Sequence, residues 1–166
     1  MGEEFVVVGG EVVSYNGLFK SRDLLNEINH FLTSKGYDKA EKKQEEKVTA
    51  KGKKVALEVE YAKSPSDYVK YVIEIDINID ELKDVVVTKG SRKMKYNEGD
   101  IKIKIKSKLK TDVAGKWKSK PMLVFAGHVI NKFIYSLYLF GDSSELKSNT
   151  LNLKERIKAF LNLYKF

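Results

Sequence analysis

The run from Ile101 to Lys110 alternates without a break: Ile101, Ile103, Ile105, Ser107 and Leu109 interleave with Lys102, Lys104, Lys106, Lys108 and Lys110. Successive side chains of a β-strand point to opposite faces, so this pattern is that of a strand with one face buried and the other in water. A helix would scatter the same isoleucines around its circumference and bury lysines with them. Two further segments repeat the pattern. Tyr71, Ile73, Ile75, Ile77 and Ile79 alternate with Val72, Glu74, Asp76, Asn78 and Asp80, and Val55, Leu57, Val59 and Tyr61 alternate with Ala56, Glu58 and Glu60. Several half-wet strands in one chain call for an antiparallel sheet.

The remaining segments fill in around that sheet. Phe5 to Val8 and Val12 to Tyr15 are β-prone and separated by Gly9-Gly10, and Val85 to Thr88 reads as a short strand. Ser64-Pro65-Ser66-Asp67, Lys89-Gly90-Ser91 and Asn97-Glu98-Gly99-Asp100 read as turns. Tyr37 to Ala50 is dense in charge. An edge strand is expected there, its charges discouraging edge-to-edge pairing, with a helix over 38–50 as the alternative. Ser21 is placed to cap a helix over Arg22 to Lys35, with Leu24, Leu25, Ile28, Phe31 and Leu32 on one face and Gly36 at the C′ position. Pro121 opens a helix from Met122 to Phe140, ended by Gly141, and Leu151 to Tyr164 forms another amphipathic helix. No internal repeat, low-complexity tract or linker divides the chain. The expectation is one α+β domain over residues 1–166, an antiparallel sheet of about five to seven strands packed on one N-terminal and two C-terminal helices.

This order of elements resembles the START-like helix-grip architecture, in which a curved antiparallel sheet wraps a long C-terminal helix and often holds an apolar ligand between them. Short stretches also resemble a set of small archaeal proteins without an assigned function. They are Tyr15-Asn16-Gly17-Leu18-Phe19, Gly36-Tyr37, Ser66-Asp67-Tyr68, Thr111-Asp112, Trp117 with Pro121, and Phe160-Leu161-Asn162-Leu163-Tyr164. Val113 departs from that pattern, where an aromatic residue is expected. The resemblance implies an archaeal source and brings no activity with it.

Composition excludes much of the chemistry a chain of 166 residues could perform. The absence of cysteine removes disulfides, thiolate metal sites and cysteine nucleophiles. With only His30 and His128, a multi-histidine metal site is excluded as well. Glu27 and His30 have the spacing of half a carboxylate-bridged di-iron site, but no second Glu-x-x-His completes it. No phosphate-binding glycine loop, nucleophile elbow or HExxH motif is present. No cofactor and no metal are expected, and an enzyme is the minority reading. Glu3 and Glu4 stand where a signal peptide has basic residues, and Val6 replaces the hydroxyl residue of a myristoylation signal. Met122 to Phe140 is apolar, but His128, Asn131 and Lys132 interrupt it, which is costly in a bilayer. No integral membrane segment and a cytoplasmic location are therefore expected.

Charge carries the strongest functional signal. The chain has a net charge of +8, and residues 81–120, with 13 basic and 5 acidic side chains, hold an excess of that same size. Such local asymmetry points to an anionic partner. The candidate anion-binding surface comprises Lys102, Lys104, Lys106, Lys108 and Lys110, projecting from one sheet face over roughly 27 Å, together with Lys116, Trp117, Lys118 and Lys120. Lysines following a phosphate backbone beside a stacking aromatic suit sequence-nonspecific nucleic-acid binding. An acidic protein is the next candidate partner. The opposing expectation is that Glu74, Asp76 and Asp80 lie on a neighbouring strand and neutralise the row, with Trp117 a packing residue. A second reading places a small apolar ligand in a cavity between the sheet and the Met122 to Phe140 helix, reached by His128, Asn131 and Tyr135, groups that otherwise form a wet helix face. A third is a scaffold subunit, or homodimer, associating through the C-terminal helices.

Overall fold

The computed structural model describes residues 4–66, 69–111 and 142–164. They form β1 (Glu4–Phe19), α1 (Ser21–Ser34), β2 (Asp38–Thr49), β3 (Gly52–Lys63), β4 (Val69–Lys89), β5 (Arg92–Thr111) and α2 (Asp142–Asn162). The five strands make one sheet in the order β1-β5-β4-β3-β2, with every neighbouring pair antiparallel. The architecture is α+β, as the alternation requires. The charge-dense segment is a strand rather than a helix and lies at the sheet edge as β2, its residues from Lys42 to Thr49 all exposed. No helix among the described residues is long and apolar enough to cross a membrane.

Strand boundaries differ from the sequence expectation because bulges and tight backbone were read as breaks. Gly9-Gly10 does not end a strand. β1 continues through it with shifts of register between Val6 and Val8 and between Val8 and Glu11, the extra residues that bulges insert. Tyr71 to Asp80 and Val85 to Thr88 are one strand, β4, which shifts register between Asp80 and Lys83. Asn97 to Asp100 is not a turn but lies inside β5. The kink in β4 is specific. Glu81 takes φ of 55°, in the left-handed region. A Cβ on Gly52 would come within 2.9 Å of the Glu81 carbonyl carbon, and one on Gly99 within 3.0 Å of the Asp80 carbonyl oxygen. Both glycines therefore permit the backbones to close around the kink.

One face of the sheet is the core. Leu57, Val59, Tyr61, Tyr71, Ile73, Ile75, Ile77, Ile101, Ile103 and Ile105 are buried on it. Helix α1 covers part of it with Leu24, Ile28, Phe31 and Leu32, and α2 with Leu146, Leu153, Ile157 and Leu161. Burying side chains of this size contributes about 1.5–3 kcal/mol each before entropy is counted. These apolar residues of α2 are all buried within the chain, while Leu163 just beyond the helix is exposed. Ion pairs hold the helices in place: Lys154 on α2 bonds Glu11 on β1, and Arg156 on α2 bonds Glu27 on α1 at 2.5 Å. The Lys154 ammonium holds the Glu11 carboxyl below the ordinary range.

The ends of α1 illustrate what local sequence can and cannot decide. Gly36, with φ of 86°, sits at C′ as expected. Its N–H donates to the Thr33 carbonyl and that of Tyr37 to the Leu32 carbonyl, closing a Schellman motif. At the other end the cap comes from elsewhere. Ser21 is the first helical residue, and its N–H and Oγ both donate to Asn97 Oδ1 on β5, at 3.0 and 2.9 Å.

Ser107 breaks the isoleucine series of β5 and is 1% exposed, between Val8 and Ile73 in the sheet register. Its Oγ makes no hydrogen bond to the described residues. An unsatisfied buried hydroxyl costs about 1–3 kcal/mol. Ser107→Ala should therefore raise stability by about 1 kcal/mol in denaturant titration. A loss of that size would instead mean that the hydroxyl is bonded in solution.

Candidate nucleic-acid interface

The lysines of β5 stand on the face opposite the helices, as their alternation with the buried isoleucines demands. Their neighbours determine what each can do. On one side β4 places Glu74 opposite Lys106, Asp76 opposite Lys104 and Asn78 opposite Lys102. On the other side β1 places Ser14 opposite Lys102, Val12 opposite Lys104, Val6 opposite Lys108 and Glu4 opposite Lys110.

The row divides under these contacts. Lys108 donates to Glu74 at 2.5 Å and to Glu4 at 2.9 Å, and Lys110 lies 3.9 Å from Glu4. Bonding to Glu74, then to Glu4, raises the Lys108 pKa strongly, and its ammonium in turn holds the Glu4 carboxyl below the ordinary range. That end of the row is neutralised within the molecule. Asp80 does not reach the row at all; it stands opposite Asp100 and pairs with Lys54 at 3.4 Å. Lys102, Lys104 and Lys106 make no ion pair among the described residues, and Lys102 and Lys104 are exposed. Beyond β4 the same face becomes mainly acidic, where Glu58, Glu60, Glu74 and Asp76, together with Lys43 and Lys106, line a depression of about 340 Å³.

Lys116, Trp117, Lys118, Lys120, His128, Asn131, Tyr135 and the Met122 to Phe140 helix lie outside the described residues. His30 is exposed on α1, and Glu27 beside it is engaged by Arg156.

A second basic element emerges from the strand pairing. β3 leaves β4 at Leu82, and β1 leaves β5 at Asn97. Val85 to Lys89 then pairs only with Arg92 to Tyr96. The result is a two-stranded ribbon extending past the sheet by about five residues per arm, roughly 17 Å. Gly90, with φ of 59°, starts its two-residue loop, a position that favours glycine. The ribbon carries Lys89, Arg92, Lys93 and Lys95 and no acidic residue. Arg92, Lys93 and Lys95 are exposed and make no ion pair among the described residues.

The base of the ribbon is fastened. Tyr96 meets Tyr164, at the end of α2, edge to face at 6.0 Å, and Lys20 Nζ sits 5.2 Å from the Tyr96 ring centre. Asn97, while capping α1, donates from Nδ2 to Asp84 Oδ1 at 2.8 Å. The nearest acidic residue on the arm is thus held by an amide at the base. These contacts fix the direction of the ribbon relative to α1 and α2.

The charge excess over residues 81–120 includes the four cations of this element, whereas the alternating lysines direct attention to the strand from Ile101. The signal was present in the four cations around Gly90-Ser91 without an acid among them. Comparison of the chain with protein-family models, curated proteins and solved structures returns no match.

Proposed function

We propose that the protein is a non-enzymatic nucleic-acid-binding module, that its partner is a DNA duplex, and that it binds without sequence preference. We read the layout as helix-grip-like, with helices against one sheet face and, among the described residues, no helix on the other, and the protein as working in the cytoplasm. The observation that carries the proposal is the β4–β5 ribbon, a projecting arm with four cations and no acid. The major groove of B-DNA, about 12 Å wide, admits a two-stranded ribbon, whereas the major groove of A-form RNA is too narrow for side chains to enter. Lys102 and Lys104 add exposed cations on the sheet face of β5, separated from the ribbon by the exposed Glu98 and Asp100. Lysine predominates over arginine on this surface, which suits attraction to phosphates over reading of base edges.

Anisotropy of a labelled random-sequence duplex across a salt series tests the reading. Binding should weaken steeply with salt, with log K falling by about 0.9 per phosphate engaged, so a slope of roughly 3–4 matches the ribbon cations. An RNA duplex of the same sequence should bind more weakly. Absence of DNA binding at about 50 mM salt would exclude the proposal, because nonspecific association is strongest there.

A further inference from the structure

On the helix side of the sheet, α1 does not seal against the β2–β3–β4 half. A cleft of about 390 Å³ remains between them. Its floor is apolar, made by Leu57 and Val59 of β3 and Ile75 and Ile77 of β4. Its charged lining residues are all basic: Arg22 on α1, and Lys39 and Lys42 on β2. Arg22, Lys39 and Lys42 are exposed and make no ion pair among the described residues. A smaller cleft of about 130 Å³ adjoins it, sharing Ser21, Leu25, Leu57 and Ile77. Within the larger cleft the Tyr61 hydroxyl donates to Asn29 Oδ1 at 3.1 Å, so that hydroxyl already has a partner.

We infer that this cleft is a binding site for a small amphipathic anion, with an apolar body on the isoleucine floor and one carboxylate or phosphate head at the Arg22–Lys39–Lys42 mouth. Its volume lies within the range of small-molecule sites, which combine an apolar lining with a few placed polar groups. The charge complementarity is one-sided. A neutral ligand of the same shape would leave three cations without a counter-charge, and a cationic one would be repelled. The site lies under the N-terminal helix, apart from the DNA-binding ribbon, and does not depend on the nucleic-acid reading.

Decanoate, decyl phosphate and decanol, titrated by calorimetry into the full chain, separate the contributions. Decanoate or decyl phosphate should bind at one site and perturb the amide resonances of Leu25, Asn26 and Val59; whichever binds tighter identifies the head group. Lys39→Glu with Lys42→Glu, on an exposed edge strand, should weaken the preferred anion by at least about tenfold while decanol changes by less than about twofold. Leu25→Trp, at a half-buried position on the cleft wall, should block all three ligands with the thermal midpoint preserved. The inference is overturned if neither anion binds, if decanol binds as tightly as decanoate, or if charge reversal leaves anion affinity unchanged.

Discussion

Reversing the ribbon charges, with Arg92→Glu, Lys93→Glu and Lys95→Glu together, should lower affinity for a DNA duplex by about 10²–10³-fold at roughly 0.1 M salt. The magnitude follows from counterion release: three lost phosphate contacts remove roughly 2.7 from the slope of log K against log salt, and the same number of decades from K at that concentration. Repulsion from the new carboxylates adds to the loss. Stability should hardly change, since the three side chains are exposed and make no ion pair among the described residues. Two comparisons locate the interface. Lys102→Glu with Lys104→Glu removes two contacts from the sheet face and should cost less than the ribbon triple. Lys108→Ala should leave DNA affinity within about twofold, because Lys108 is occupied by Glu74 and Glu4. If the ribbon triple binds like the parent while the Lys102–Lys104 pair abolishes binding, the interface is the sheet face and the ribbon is not part of it.

How far the sequence reached follows from the range of the forces involved. Period-two patterning is local and strong, so the faces of β3, β4 and β5 were legible almost throughout, including the outward lysines; Val72, expected on the wet face of β4, is instead fully buried. The Gly36 stop of α1 was also legible, because a left-handed C′ residue needs only its own turn. The cap at the opposite end was not. Asn97 lies 76 residues from Ser21, and only the β1–β5 pairing brings the two together. Charge neutralisation was half legible. Glu74 and Asp76 could be named as outward groups, but whether they faced the lysines depended on β4 and β5 being neighbours in that register. Glu4, the second partner of Lys108, comes from β1, more than 100 residues earlier in the chain. The ribbon escaped for a related reason. Its arms look like ordinary strand ends, and they project only because β1 and β3 stop where they do.

Tyr37→Ala should destabilise the fold by about 3–5 kcal/mol, the usual cost of truncating a buried aromatic side chain. At roughly 2–4 °C per kcal/mol for a chain of this size, the thermal midpoint should fall by about 10–15 °C. Tyr37 is 0% exposed and stands where three elements meet. Its backbone N–H closes the end of α1 on the Leu32 carbonyl at 3.0 Å, and its ring lies in the same core cluster as Leu32. Asn149 Nδ2 on α2 donates to its hydroxyl at 3.4 Å, and Lys63 of β3, bonded to Glu145 of α2 at 2.9 Å, places its ammonium 5.7 Å from the ring centre. Burial pushes the phenol pKa up, so the hydroxyl stays neutral and its bond to Asn149 does not vary with pH below the ordinary phenol range. The ring and the hydroxyl can be separated experimentally. Tyr37→Phe keeps the packing but removes the acceptor of a long hydrogen bond and leaves the buried Asn149 amide without it, at a cost of about 1–2 kcal/mol. Chemical denaturation of both variants should give that ordering with an unchanged m value. Equal losses in Phe and Ala would assign the junction to the hydrogen bond. A loss below about 1 kcal/mol in Tyr37→Ala would show that the corner can collapse around the cavity and that α2 is held by its ion pairs to Glu11 and Glu27.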